Sequence, residues 1–373
     1  MPSTFEKLDI LAADSQYDLA CACGTGSQDR RRRGLDGKWL YPVPLASGGH
    51  GIMLKTLLSN CCTSDCGYCP LRLEGNVRRC SLTPEETAAA FIEILRKRFL
   101  IGIFISSGIV GSPDATMARL LAVAEILRYK YHYHGYIHLK VIPGASDAAV
   151  ERAVKVASAV SLNIETPGAH HFAALSQYKD YQTDIIDKLK LMSRLTSRGT
   201  PGARVTVTTQ FVVGAAGECD REIVRYMDGL YNRLKLQRIY FSAYQPGLGR
   251  RNLPGEHFEL GADDRFVREH RLYQADFLLR RYGFDASELQ FDERGNFDLS
   301  VDPKRAWAER HRHLFPLDVN RADREMLLRV PGFGPVTVDR IVALRRQGRI
   351  SSLEAAGIRG AQLKHAAGFA VCS

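Results

Sequence analysis

Six short β-branched runs, each followed by a stretch of helical length, constrain this chain more than any other feature. The runs are Ile52–Leu58, Ile101–Ser106, Tyr136–Val141, Val160–Ile164, Val205–Val213 and Ile239–Ala243. Strand, helix, strand in one sheet is a right-handed crossover, so six in succession predict a parallel sheet. Helix starts are legible between the runs. Thr83-Pro84-Glu85-Glu86 is a capping box with Pro at the first helical position, opening a helix to about Phe99. Ser112-Pro113-Asp114 opens another, to about Tyr131, and further helices are expected near 146–158, 182–197, 220–234 and 263–282.

Alternation within the strands sorts their side chains by face. Tyr136, His138 and Lys140 oppose Ile137 and Leu139; Ser161, Asn163 and Glu165 share a face; Arg204, Thr206, Thr208 and Gln210 oppose Val205, Val207, Thr209, Phe211 and Val213. Tyr240, Ser242 and Tyr244 oppose Ile239, Phe241 and Ala243. Helices cover the apolar face, so the polar sets must line something hydrated, such as a lumen. An antiparallel sheet with one wet face is the alternative, and the intervening helices argue against it.

Directly after the first run, Cys62-Thr63-Ser64-Asp65-Cys66-Gly67-Tyr68-Cys69 supplies three thiolates at C-x3-C-x2-C spacing. A structural zinc wants four protein ligands, which would require His50 or Cys61 as well. Three thiolates on a [4Fe–4S] cube instead leave one iron open to a small molecule. The remaining six of the nine cysteines, Cys21, Cys23, Cys61, Cys80, Cys219 and Cys372, are dispersed and read as reduced thiols. Neither a basic, apolar leader nor a run of about 20 apolar residues is visible, so a cytoplasmic protein is expected.

The net charge of +10 favours a polyanionic partner. Residues 1–50 read as an irregular, Gly-rich extension, with Arg30–Arg33 either a solvated loop or a phosphate contact. Residues 51–300 hold the strand–helix succession, 301–317 read as a linker, and 318–373 as a small all-α module. In that module a helix ends at Pro331, Gly332-Phe333-Gly334 makes a hairpin, and Pro335 starts a second helix. Nine Lys/Arg against five Asp/Glu give it a net +4. Two glycines allow close approach, and the N–H groups and dipole at the second helix's start favour an anion.

These patterns resemble two known ones. The terminal module is similar to a helix-hairpin-helix DNA-binding motif, implying backbone contacts from Gly332, Phe333, Gly334, Arg340, Arg345 and Arg346; Val338 stands where the motif often has Ala. A helical hairpin used only for packing is the competing reading. The cysteine loop, with Tyr68 before its last Cys, resembles the signature of the radical S-adenosylmethionine superfamily. That resemblance implies an open, partial (β/α)6 barrel, a [4Fe–4S] cluster on Cys62, Cys66 and Cys69, and S-adenosylmethionine at the strands' C-terminal ends. Tyr68, Ser106, Ser107, Gly108, Asn163 and Glu165 are the implied cofactor contacts. Ser106-Ser107-Gly108-Ile109 stands where relatives often carry Gly-Gly-Glu, so the acidic partner of the cofactor's amino group is missing. Lys140 could pair with the cofactor carboxylate or with Glu165.

With Lys7–Leu11, Tyr17-Asp18, Phe104–Ile109, Gly135–Gly144 and Asn163–Glu165 added, nearly the whole length resembles the DNA modification/repair radical SAM protein family. The family implies DNA as substrate, a uracil-DNA-glycosylase-like partner and a flavodoxin- or ferredoxin-type electron donor. RNA as substrate and a non-catalytic Fe–S redox sensor are the alternatives. No catalytic acid or base is assigned; Tyr240, Tyr244 and Cys219 are the candidates for quenching a radical.

Overall fold

The computed structural model describes residues 2–15, 23–24, 26–29, 40–44, 49–257 and 260–373. Cys21, Tyr17, Asp18, Arg30–Arg33 and the side chain of Cys23 lie outside that description. The chain divides into two compact units, one of residues 1–218 with 229–266 and the other of 219–228 with 267–373.

The first unit is built on seven strands in linear order: β1 Leu40–Pro44, β2 His50–Leu57, β3 Gly102–Ser106, β4 Tyr136–Lys140, β5 Ala159–Ser161, β6 Thr206–Val213 and β7 Arg238–Ala243. Strands β2 to β7 are parallel, as the succession of strands and helices predicts, and β1 pairs antiparallel with β2. Crossover helices α2 Pro84–Lys97, α3 Pro113–Glu125, α4 Asp147–Val156 and α6 Asp187–Leu195 follow successive strands. A short helix, α5 Ala169–Leu175, that periodicity did not mark lies between β5 and α6. The outer sheet face, with Ile103, Ile105, Ile137, Leu139, Val160, Ile239 and Phe241, is fully buried.

The sheet curls. Tyr136 on β4 and Tyr240 on β7 would be ~14 Å apart across three flat strand spacings. Instead they lie within electrostatic reach, and burial followed by Tyr240 pushes the Tyr136 hydroxyl up to about 12. The polar sets therefore face one another across a concave surface. His138 hydrogen-bonds Ser161 Oγ at 2.9 Å and meets the Phe104 ring edge-on at 4.7 Å, while Lys55 lies 4.8 Å from the centroid of that ring.

Two expectations are corrected. The first fifty residues are not all irregular: α1 Thr4–Asp14 carries a full Ser3/Glu6 capping box and packs on β2, and β1 joins the sheet. Pro42 and Pro44 occupy alternate positions of β1. The expected linker 301–317 holds α9 Pro303–Arg310, capped by Asp302, with Trp307 buried in its middle. Both helices were hidden by their charge: Glu6, Lys7 and Asp9 in one, and Lys304, Arg305, Glu309 and Arg310 in the other, dilute the apolar stripe.

The second unit contains the first residues of α7 Asp220–Asn232, most of α8 Ala262–Arg281, then α9, α10 Arg324–Arg329, α11 Pro335–Leu344 and α12 Gly360–Ala366. Strands β8 Leu317–Asp318 and β9 Ala370–Val371 pair in parallel and bring the end of the chain back to the start of the hairpin module. Asp220 is buried with Arg268, Nε to Oδ1 2.7 Å, and also accepts Phe297 N at 2.9 Å. Phe284, Trp307, Phe315 and Phe369 form an aromatic core on which the Arg329 guanidinium stacks, 4.3 Å from the Phe284 ring.

Candidate cluster and cofactor site

The cysteine loop leaves the C-terminal end of β2 and is fixed by backbone bonds to the loops beside it. Leu58 N donates to Ser106 O at 2.8 Å, Gly108 N to Ser59 O at 2.7 Å and Thr63 N to Ile109 O at 2.8 Å. The two segments touch so closely that a Cβ at Gly108 would fall on the Cys61 carbonyl oxygen and 3.0 Å from Cys62 Cβ. Gly67 N donates to Leu175 O at 2.6 Å, and Arg250 N to Gly67 O at 2.8 Å. The half-buried Arg79 guanidinium braces the following turn by donating to the carbonyls of Asn60, Leu71, Arg72 and Gly75.

Cys62, Cys66 and Cys69 are free thiols in this one loop. Cys62 Sγ accepts from Ser64 N and Ile109 N, each at 3.4 Å. Cys66 Sγ lies 3.3 Å from Ser64 Oγ and accepts from Lys179 Nζ at 2.8 Å. Burial first, then the neighbouring Cys66, pushes the Cys69 thiol up to about 12. A Cys69 thiol whose ionisation burial and its two neighbours oppose belongs to a donor set that a polycationic centre satisfies.

The zinc alternative loses its fourth ligand here. His50 opens β2 and the cysteines follow the strand's far end, which is ~26 Å away for eight extended residues. Cys61 Sγ is taken up by Ser81 Oγ at 3.8 Å on the other side of the loop. Among the described residues no group of three or more His, Cys, Asp or Glu is drawn together around a single-ion position. The thiolates of a cubane bind different irons. Three free thiols in one loop, Cys62 with two backbone donors, have the ligand chemistry that such a cluster takes.

Beside the loop lies a polar ledge. Ser106 is buried at the end of β3, with its carbonyl committed to Leu58 N, and Ser107 Oγ donates to Gly108 O at 2.7 Å. After Ser161 the chain leaves the ladder: Thr209 Oγ1 donates to Leu162 O at 2.7 Å and accepts from Ile164 N at 2.9 Å. It rejoins at Glu165, whose N–H bonds Gln210 O and whose carbonyl accepts Val212 N. This excursion forces Glu165 to φ 65°, a left-handed conformation unfavourable for a Cβ-bearing residue. Its carboxylate accepts from Asn163 Nδ2 at 3.3 Å and from the Tyr68 hydroxyl, whose ionisation is pushed well up by burial and then by Glu165. Tyr68 also packs against Leu175, Val212, Tyr244 and Leu253. Lys140 is half-buried at the end of β4, in register with Ser161.

Sequence reasoning missed Lys179 and Asp65. Burial alone would lower the Lys179 pKa, but the Cys66 sulfur, its hydrogen bond and Glu165 carry it above the ordinary value. Asp65 is buried, yet the Ser176 hydroxyl and the backbone N–H groups of Gln177 and Tyr178 hold its carboxyl below the usual range. A carboxylate between two cysteines was the available signal. A lone lysine 110 residues after the loop carries none.

Of the three radical-quenching candidates, Tyr240 faces the concave surface, whereas Tyr244 is packed in the apolar cluster with its hydroxyl on Glu256. Cys219 belongs to the second unit, against Gly295. In the hairpin, Gly332 has φ 83° and a Cβ there would come within 2.8 Å of Gln362 O. The Phe333 side chain is in the core, not on the surface, and its carbonyl accepts from buried Lys304. Arg340 is engaged by the Gly357 carbonyl at 3.2 Å and Arg345 by the Ala322 carbonyl at 2.5 Å. Gly334 caps α11, with exposed Val336 and Arg346 at its two ends. Among the described residues no helix is long and apolar enough to cross a membrane.

No family model matches this chain, and no curated protein does. Solved structures align with 60% of it at low identity. They include methylornithine synthase (PylB), at 15% identity over 62% of that chain with a TM-score of 0.46. The [FeFe]-hydrogenase maturase HydG from Carboxydothermus hydrogenoformans aligns at 14% identity over 51% of its chain, with a TM-score of 0.48. A second HydG structure gives 17% identity over 50% and a TM-score of 0.44. The match spans less than two thirds of each of these structures.

Proposed function

We propose that this chain is a radical S-adenosylmethionine enzyme that acts on a nucleic acid. One observation carries the reading: three free thiols, Cys62 with two backbone N–H donors and Cys66 with the Lys179 ammonium, lie in a single loop at the C-terminal rim of an open parallel sheet. Cys62, Cys66 and Cys69 would hold a [4Fe–4S] cluster with one iron free for the amino and carboxylate groups of S-adenosylmethionine. Bound there, the cluster and S-adenosylmethionine would supply hydrogen-atom abstraction from the substrate. The chain's own residues orient and enclose. Tyr68, Asn163 and Glu165 form the hydrogen-bonding wall suited to ribose hydroxyls, and Ser106, Ser107 and Gly108 form the close backbone edge suited to the methionine end. Lys140 is the cation suited to its carboxylate. The concave polar face keeps the reacting groups ordered and apart from bulk water.

DNA is the favoured polymer, through the Gly332–Gly334 hairpin, the N-terminus of α11 and Arg346, with a base presented single-stranded or flipped. A low-potential flavodoxin- or ferredoxin-type donor and a cytoplasmic setting complete the reading, and the family resemblance adds a uracil-DNA-glycosylase-like partner. The test is anaerobic reconstitution, iron and sulfide analysis, and assay for 5′-deoxyadenosine with dithionite and S-adenosylmethionine. A cluster lost in Cys62→Ala, Cys66→Ala and Cys69→Ala, with 5′-deoxyadenosine formed, supports the reading. Zinc in place of iron overturns it. An intact cluster that never yields 5′-deoxyadenosine leaves a redox sensor. Val336→Glu places a carboxylate at an exposed position beside the α11 terminus. It should weaken DNA binding at least tenfold and leave the cluster untouched, whereas stimulation by tRNA alone would make RNA the substrate.

A further inference from the structure

One cation from outside the cysteine loop lies on it. Lys179 Nζ is 2.8 Å from Cys66 Sγ, and the segment bearing it is fastened to that same loop. Asp65, between Cys62 and Cys66, accepts from the Ser176 hydroxyl and from Gln177 N at 2.7 Å. Gly67 N holds Leu175 O. The loop that presents the sulfurs therefore also grips the residues that deliver the ammonium. The Arg72 guanidinium, just after the loop, is turned to the Cys69 and Leu248 carbonyls instead.

We propose that Lys179 is the positioning residue that sets the reduction potential of the cluster, with Asp65 and Ser176 holding it in place. This rests on the assignment of Cys62, Cys66 and Cys69 as cluster ligands. Reduction adds one electron, supplied by dithionite or a low-potential protein donor, and no proton, so the centre gains one negative charge. A fixed ammonium with an N–H aimed at a ligand sulfur stabilises that charge, because cluster potentials follow net charge and hydrogen bonds to sulfur. Glu165 lies in the same electrostatic neighbourhood, so removing Lys179 would leave that carboxylate and three thiolates with less compensation.

The experiment is a redox titration of the reconstituted full chain, followed by electron paramagnetic resonance without S-adenosylmethionine or substrate. Lys179→Met, which keeps the length and loses the charge, should lower the reduced-to-oxidised ratio at a fixed potential at least tenfold, equivalent to ~59 mV for one electron. Lys179→Arg should restore most of the ratio, and Ser176→Ala should shift it in the same direction as Met by less. Equal potentials in wild type, Lys179→Met and Ser176→Ala, all with full iron content, would overturn the proposal and leave the cluster assignment standing. Wild type without iron would overturn both. If Lys179→Met loads no cluster, Lys179→Gln and Ser176→Ala decide the matter by the same shift.

Discussion

At single residues, the loop's geometry turns on a missing side chain and a strained one. Gly108 is needed not for an unusual dihedral but because the Cys61 carbonyl occupies the place of a Cβ. Gly108→Ala should push the Ser106–Ile109 turn off the cysteine loop and lower stability by ~1–3 kcal/mol, the range for overpacking. Iron content per chain should fall with it; full loading at wild-type stability would count against the close contact. Glu165 shows the converse, a bulky residue held at φ 65°. Strain of ~1–3 kcal/mol persists only where surroundings over-determine it, here two backbone bonds to β6 together with Tyr68 and Asn163. The spacing of the cysteines and the place of Glu165 in a polar set were legible in the sequence, while the role expected of Glu165 came from the family resemblance. The strain was not, because nothing local in Asn163-Ile164-Glu165 marks where a strand will leave its ladder.

Among elements, parallel strands β2 to β7 and the helices opened by Thr83 and Ser112 stand where period and capping residues put them, though β5 ends at Ser161, short of Ile164. Each strand sets an apolar face against the helices and a polar one against the concave surface, so the period-two signal is strong. Elements whose stability comes from tertiary contact were lost from view: α1, α5, α9 and the edge strand β1. The Ser3-x-x-Glu6 box of α1 was readable, but its charged helix gave no stripe to extend it. The departure of β5 from the ladder depends on Thr209, whose hydroxyl replaces two backbone partners. Thr209→Val keeps the shape and removes both bonds, leaving buried groups unpaired, and should cost ~1–3 kcal/mol in urea denaturation. A change under a few tenths would mean that the bulge is held elsewhere.

At the scale of the whole chain, the hairpin module is not an appended tail: α9 feeds it a buried lysine. Lys304 donates to the Phe333 carbonyl and lies 4.6 Å from the centroid of the Tyr282 ring. Burial lowers its pKa to about 7, with Asp302 opposing. Above pH 7 the unfolded chain binds a proton that the folded one does not, up to the ordinary value of 10.5. The lysine therefore destabilises most at and below neutrality, and stability rises with pH across that window. The stability of wild type relative to Lys304→Met should increase by up to ~1.4 kcal/mol per pH unit from 7.5 to 9.5. A pH-independent difference in denaturation midpoints would refute it. Finally, Pro42 and Pro44 alternate along the outermost strand. Lacking amide hydrogens, they belong to the set that would otherwise point away from β2. A second molecule aligned on that rim would find the outward donors at Pro42 and Pro44 gone, which disfavours edge-to-edge pairing along this strand.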